Sequence, residues 1–111
     1  MKQPLTKRKK GSRSIAVKEA YVGMDLDTSM GSITNALIAA IEEDNEGVIV
    51  EDFSVYKKVK VPGKLVVNRE TVEEHLGADF DMDQVHMAMS SCFGFIKDWD
   101  EEQLIIQWDE A

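Results

Sequence analysis

Asp79, Asp81 and Asp83 alternate along this chain, with His86 three residues beyond the last of them. A D-x-D-x-D run suggests a calcium loop. A loop of that kind begun at Asp79 requires Gly at its sixth position and a bidentate Glu at its twelfth. Gln84 and Ser90 stand there instead, so the run reads as an acidic cluster that starts a turn. Zinc fits no better. His75, His86 and Cys92 form no C-x-x-C or H-x-x-x-H pair, and a closed site would need scattered carboxylates. A carboxylate-bridged di-iron centre in a helical bundle draws on two Glu-x-x-His motifs. Val72 and Asp83 occupy the Glu positions relative to His75 and His86. No residue qualifies as a metal ligand.

Nucleophilic catalysis requires Ser or Cys beside a His base and an orienting acid. Ser90, Ser91 and Cys92 adjoin one another, and His86 is near in sequence. On a strand, His86 and Ser90 share a face but stand about 13 Å apart at ~3.3 Å per residue, beyond hydrogen-bond reach. The chain has no G-x-S-x-G, no G-x-x-x-x-G-K-[ST] and no G-x-G-x-x-G. Catalytic and cofactor-binding residues are therefore none, and the chain is not an enzyme by itself. His75 is expected on a solvated helix face, and Cys92 as a small packing or contact residue.

The elements that must position these residues follow from periodicity. A short strand is expected over Tyr21–Asp25. Thr28, Ser29 and Ser32 offer capping hydroxyls ahead of a helix whose apolar stripe is Ile33, Leu37, Ile38 and Ile41. Glu42, Glu43, Asp44 and Asn45 end it. Acids there oppose the helix dipole, so that end should fray or lean on a partner. Strands Val48–Phe53 and Val55–Val61 follow, with Val55, Val59 and Val61 on one face. Pro62-Gly63 turns into strand Lys64–Val67. Asn68 can cap a short helix Arg69–Leu76, closed by Gly77. Asp81 can start one more helical turn. Val85, Met87 and Met89 then alternate with His86 and Ala88 as a strand, which makes Met87 and Met89 core residues, with an adaptable Met-lined binding surface as the alternative. Phe95–Trp99 and Gln103–Trp108 read as a last hairpin. The order β-α-β-β-β-α-β-β-β predicts a single small α+β domain with a largely antiparallel sheet and two main helices.

With 111 residues, the chain suits one compact domain. Residues 1–18 carry seven bases and no acid; the other 93 hold six bases against all 21 acids, a net of −15. The expected division is a disordered basic tail over 1–18 and a folded body over 19–111. So acidic a body repels phosphate and anionic membrane, which argues against nucleic-acid and membrane partners and for a neutral or basic protein surface. The tail's cations could meet nucleic acid or an acidic protein, or stay in solvent. An acidic nucleic-acid-associated regulator using this tail is therefore the alternative reading. One cysteine excludes an internal disulfide framework and fits a reducing, cytoplasmic location.

The strings A-A-I-E-E-D-N (39–45), K-L-V-V-N-R-E-T-V-E-E-H-L-G (64–77) and D-F-D-M-D-Q-V (79–85) go further. The region Tyr21–Trp108 resembles the small effector proteins of soluble di-iron multicomponent monooxygenases, which act on phenol, toluene, alkenes and methane. The helix-to-glycine block is the most specific part, and the basic tail lies outside the likeness. The resemblance implies a regulatory component without a cofactor. It would dock on the large hydroxylase subunit above the di-iron site and tune turnover, coupling and substrate access, while a reductase or ferredoxin supplies electrons. Ser90, Ser91, Cys92, Phe93 and Gly94 match an S-S-T-I-G stretch of the methane-oxidising effector that faces the hydroxylase. Cys92 replaces the Thr and removes a hydroxyl. These five residues, read as a loop between two strands, are the expected partner interface. Bulky charge at Ser91 or Cys92 is expected to leave the domain folded, and Phe93 could be core plug or partner anchor.

Overall fold

A computed structural model describes residues 20–108 of the chain. The expected tail over 1–18 lies outside the described residues. Strand β1 is Tyr21–Asp27, followed by a 3-10 turn Thr28–Met30 and helix α1, Ser32–Asp44. Strands β2 (Ile49–Asp52), β3 (Tyr56–Pro62) and β4 (Lys64–Asn68) lead into helix α2, Arg69–Leu76. A second 3-10 turn, Met82–Gln84, runs into the one-turn helix α3, Val85–Ala88. Strands β5 (Met89–Phe93), β6 (Phe95–Trp99) and β7 (Gln103–Gln107) complete the fold. It is α+β with antiparallel pairing, in the expected order save for the added α3.

The strands form two sheets, ordered β2-β3-β1-β5 and β4-β7-β6. Alternation assigns their faces. Val22, Met24 and Leu26 of β1 and Val59 and Val61 of β3 point inward, as do Leu65 and Val67 of β4 and Leu104 and Ile106 of β7. Leu37, Ile38 and Ile41 of α1 join them in one core, with Ala36 and Ala40 permitting close approach. Burial of these side chains contributes roughly 1.5–3 kcal/mol each for the large aliphatics before the entropy of ordering is subtracted.

Several strand ends shift by one or two residues, and three larger differences from the sequence reading have a local reason. Val55 is exposed and precedes β3, because Ser54 takes a left-handed φ of 73° and the turn there is tied to Thr28, which donates from Oγ1 to Ser54 O at 2.8 Å. The 3-10 turn is capped by Asp27, which accepts from Ser29 N, and Gly31 rather than a hydroxyl residue stands at the start of α1. The strand expected from Val85 begins only at Met89. Asp81 and Gln84 make a reciprocal capping box. The buried set is then Met82, Val85 and Ala88, at i+3 spacing, which is helical. Met87 is consequently 66% exposed, not a core residue, and Met89 is half-buried.

The acidic end of α1 neither frays nor needs another molecule. Asn45 donates from Nδ2 to Ile41 O (2.9 Å) and Val66 O (2.8 Å), and its Oδ1 accepts from Val66 N at 2.9 Å. Asp44 accepts from Asn68 Nδ2 at 2.9 Å, so Asn68 makes no capping bond to α2. Glu43 meets His75 Nε2 at 2.7 Å, which removes His75 from a purely solvated role. Helix α2 ends as expected, with Gly77 left-handed at φ 76°. Arg69 on α2 bridges Glu73 and Glu102, both at 2.9 Å, and Glu73 also accepts from Phe80 N. These links hold the loop that delivers the chain to β5.

Candidate functional site: the edge strand β5

Ser90–Phe93 lie within strand β5 rather than in a loop, and Gly94 is the bend between β5 and β6. In its sheet β5 is an edge, pairing with β1 in the register Gly23↔Phe93, Met24↔Cys92, Asp25↔Ser91 and Leu26↔Met89. The register shifts between Asp25 and Leu26, leaving Ser90 as the extra residue. Ser90 and Ser91 are both exposed.

Alternation splits the five residues between two faces. Ser91 and Phe93 share the outer face with Gly23, Asp25, Lys58 and Lys60. Cys92 pairs with buried Met24 and packs against the core. The expectation that Cys92 would tolerate bulky charge is therefore corrected: a charged side chain there would be forced into apolar surroundings.

Phe93 is neither a core plug nor a free ring. A Cβ on Gly23 would lie 2.8 Å from Phe93 Cζ and 1.9 Å from Val59 O, so the ring and the neighbouring backbone occupy the space a side chain would need. Lys58 Nζ sits 4.8 Å from the Phe93 ring centroid, within cation–π range. Gly94 is equally constrained. Its φ is +113°, and a Cβ would meet Ile106 and Val22 side-chain atoms at 2.8 Å.

Asp25 centres the polar part of this face. Its Oδ2 accepts from Ser91 Oγ at 2.7 Å, and its Oδ1 accepts from Lys58 Nζ at 2.9 Å. Burial opposes the carboxylate, but the bonds from Ser91 and Lys58 outweigh it and hold Asp25 below the usual carboxylate range. The Lys58 ammonium is held above its ordinary value, chiefly by the bond to Asp25. Lys60 pairs with Glu51 at 3.2 Å. The face is thus a fixed array of hydroxyls, the Phe93, Tyr21 and Tyr56 rings and paired charges, with no acid–base pair arranged to transfer a proton.

His86 is remote from nucleophilic use: it stands on α3 and stacks on Trp99 with centroids 4.2 Å apart. Among the described residues, no group of three or more His, Cys, Asp or Glu could hold a metal ion. No described helix is long and apolar enough to cross a membrane. Sequence reading placed a strand over Val85–Met89 and a loop at Ser90–Gly94, so it missed β5 itself and Gly23, Asp25 and Lys58 as its supports. The alternation of Tyr21–Asp27 was the available signal, and it gives a face without naming the neighbour.

Known proteins share both sequence and fold with this chain. It is 26% identical over 72 residues to the stimulatory component DmpM of phenol 2-monooxygenase from Pseudomonas sp. strain CF600, covering 65% of this chain and 79% of that one. A chain of the phenol hydroxylase–regulatory protein complex superposes with a TM-score of 0.72 at 27% identity, over 81% of this chain and 100% of that chain. The soluble methane monooxygenase regulatory protein B gives 0.59 at 23% identity, over 81% and 66% of the respective chains, a likeness of fold alone. The sequence profile of the MmoB/DmpM family matches residues 20–107, nearly all of the described fold, and the chain belongs to that family.

Proposed function

We propose that this chain is the cofactor-free regulatory component of a multicomponent monooxygenase. It binds the large subunit of a di-iron hydroxylase and tunes turnover, coupling and substrate access in the hydroxylation of aromatics such as phenol, or of alkenes and alkanes. A reductase or ferredoxin of the same system supplies the electrons, and the components meet in the cytoplasm. The observation that carries this reading is the superposition of 81% of this chain on the whole of a chain from a phenol hydroxylase–regulatory protein complex, joined to membership of the family. The alternative of an acidic nucleic-acid-associated regulator has no support among these relatives.

The contact we assign is the segment Ser90–Gly94, the outer part of β5 and the bend after it. Its support is physical. An edge strand offers exposed Ser90 and Ser91, with Phe93 preset over Gly23, and Cys92 and Gly94 shape the backbone from behind. A surface that is already ordered loses little entropy on docking. The test is Ser91→Arg, which replaces the hydroxyl donor to Asp25 with a guanidinium and so places bulk and a second cation, beside Lys58, on the outer face. Its melting temperature is expected to stay near that of the parent, while hydroxylase turnover at saturating protein falls at least ~10-fold, since an unpaired charge in an interface costs several kcal/mol. Full activation by this variant, with normal stability, would remove β5 from the contact and make α2 the next candidate.

A further inference from the structure

Ser91 and Phe93 point outward from an edge strand that has a neighbour, β1, on one side only among the described residues. Side chains so placed ordinarily rotate freely, and ordering them on docking weakens a complex. Here both are held, and by one residue two strands away.

Two rows of the sheet bring this about. Lys58, Asp25 and Ser91 stand in one row across β3, β1 and β5, and Lys60, Gly23 and Phe93 in the next. Strands β3 and β5 are second neighbours, about 10 Å apart, so their side chains meet only where the strand between them leaves room. Gly23 leaves it, because the Phe93 ring lies where a side chain on β1 would stand. Lys58 reaches the same gap on the diagonal, with Nζ 4.8 Å from the Phe93 ring centroid and 2.9 Å from Asp25 Oδ1. Asp25 passes the constraint on to Ser91, whose Oγ donates to Oδ2 at 2.7 Å. Lys58 therefore holds Phe93 directly and Ser91 through a carboxylate.

Lys60 supplies the comparison, since it points the same way from the same strand. It pairs with Glu51 at 3.2 Å and lies 5.5 Å from the Tyr21 ring centroid, so its partners stand on β2 and β1 and none on β5. The Lys58–Asp25 pair is also the more sheltered, with side chains 27% and 16% exposed against 25% and 41% for Lys60 and Glu51. Solvent screens it less.

We infer that Lys58 is a positioning residue for activation of the hydroxylase, acting on the partner through Ser91 and Phe93 by fixing both in the arrangement that docks, a role that rests on the Ser90–Gly94 contact proposed above.

The experiment titrates hydroxylase turnover with the full-length chain and with Lys58→Met, Lys58→Arg and Lys60→Met, with melting temperatures recorded in parallel. Met keeps the stem and removes the cation, whereas Arg keeps the cation. Lys58→Met is expected to raise the half-saturating concentration at least ~5-fold and to lower turnover at saturation less than ~2-fold, as for an ordering cost that binding can meet. Lys58→Arg stays within ~2-fold of the parent in both, and Lys60→Met, which gives up its own ion pair, stays within ~2-fold in half-saturation. A second titration places Lys58→Met in the Ser91→Ala/Phe93→Leu background, which removes both groups through which Lys58 acts and keeps apolar bulk over Gly23. There it adds less than ~2-fold, the non-additivity of coupled residues.

Additive losses mean that Lys58 meets the partner directly, and they overturn the inference. So do parent-like half-saturation in Lys58→Met, failure of Lys58→Arg to restore it, or an equal loss in Lys60→Met. Each of these leaves the regulatory reading standing. Where the double background is unfolded at the assay temperature, the three single variants decide. Full activation by Ser91→Arg removes the β5 contact and this role with it, and a parent chain that fails to activate the hydroxylase overturns the regulatory reading itself.

Discussion

Asp25 receives a hydroxyl from β5 and an ammonium from β3, so one carboxylate ties three strands together on the outer face. The carboxyl is held below its ordinary 3.8, and the stability it contributes is present above the unfolded-state value and lost as pH falls through the lowered folded value. Lys58 is held above 10.5, and its contribution persists below that value and is lost only as pH rises through the raised one. The pair is accordingly intact from about pH 4 to about pH 10. Melting temperature recorded from pH 2 to 6 should fall less steeply on the acid side for Asp25→Asn than for the parent. The variant should also be less stable at pH 7, because Lys58 then loses its bonded counter-charge and keeps only the weaker field of Glu51. Identical acid limbs would mean that Asp25 does not link folding to pH.

Between elements, the side chain of Asn45 substitutes for a strand. It bonds both the N–H and the C=O of Val66 on β4, an edge strand of its sheet. An uncovered edge with both groups free invites pairing with other chains. Asn45→Ala leaves those groups and Ile41 O without the amide, at a cost of about 1–3 kcal/mol. Its melting temperature should drop by ~5 °C or more for a domain of this size. Asn45→Asp keeps the acceptor for Val66 N but sets a carboxylate against Val66 O, so it should not rescue the loss. Melting of either variant at the parent temperature would show that the α1–β4 junction is held by packing alone.

For the whole molecule, regulation is a matter of differences. A component without a cofactor can move a hydroxylase between states only by binding them unequally, and a ~100-fold shift in population requires ~2.7 kcal/mol of coupling. If it changes the reduction potential of the di-iron centre, it must bind oxidised and reduced hydroxylase with different affinities. Titration calorimetry on the two redox forms, beside potentiometry with and without the protein, measures both sides of that cycle. Equal affinities together with a shifted potential would break the linkage and exclude this mechanism. The net charge of the body, −15 over the 93 residues after the basic segment, also predicts association rates that change with ionic strength, since long-range fields steer the encounter.

Local spacing alone determined much of this protein. The absence of Glu-x-x-His pairs, the bounds of α2 and its closing Gly77, the turn begun by Asp81 and the strand order are written in neighbouring residues, because caps, turns and period-two alternation act over a few positions. Alternation, however, says which residues share a face and not which strand lies beside it. Only tertiary pairing placed Gly23 beneath Phe93, set Asp25 between Ser91 and Lys58, and divided the strands into two sheets. The segment Val85–Met89 satisfied both a strand period and a helix period. The capping box of Asp81 and Gln84, with burial of Met82, Val85 and Ala88 against the core, decided for the helix. Likewise Cys92 and Ser91 are adjacent in sequence and opposite in environment, because the pleat of an edge strand turns one to the core and the other to the surface where a partner can meet it.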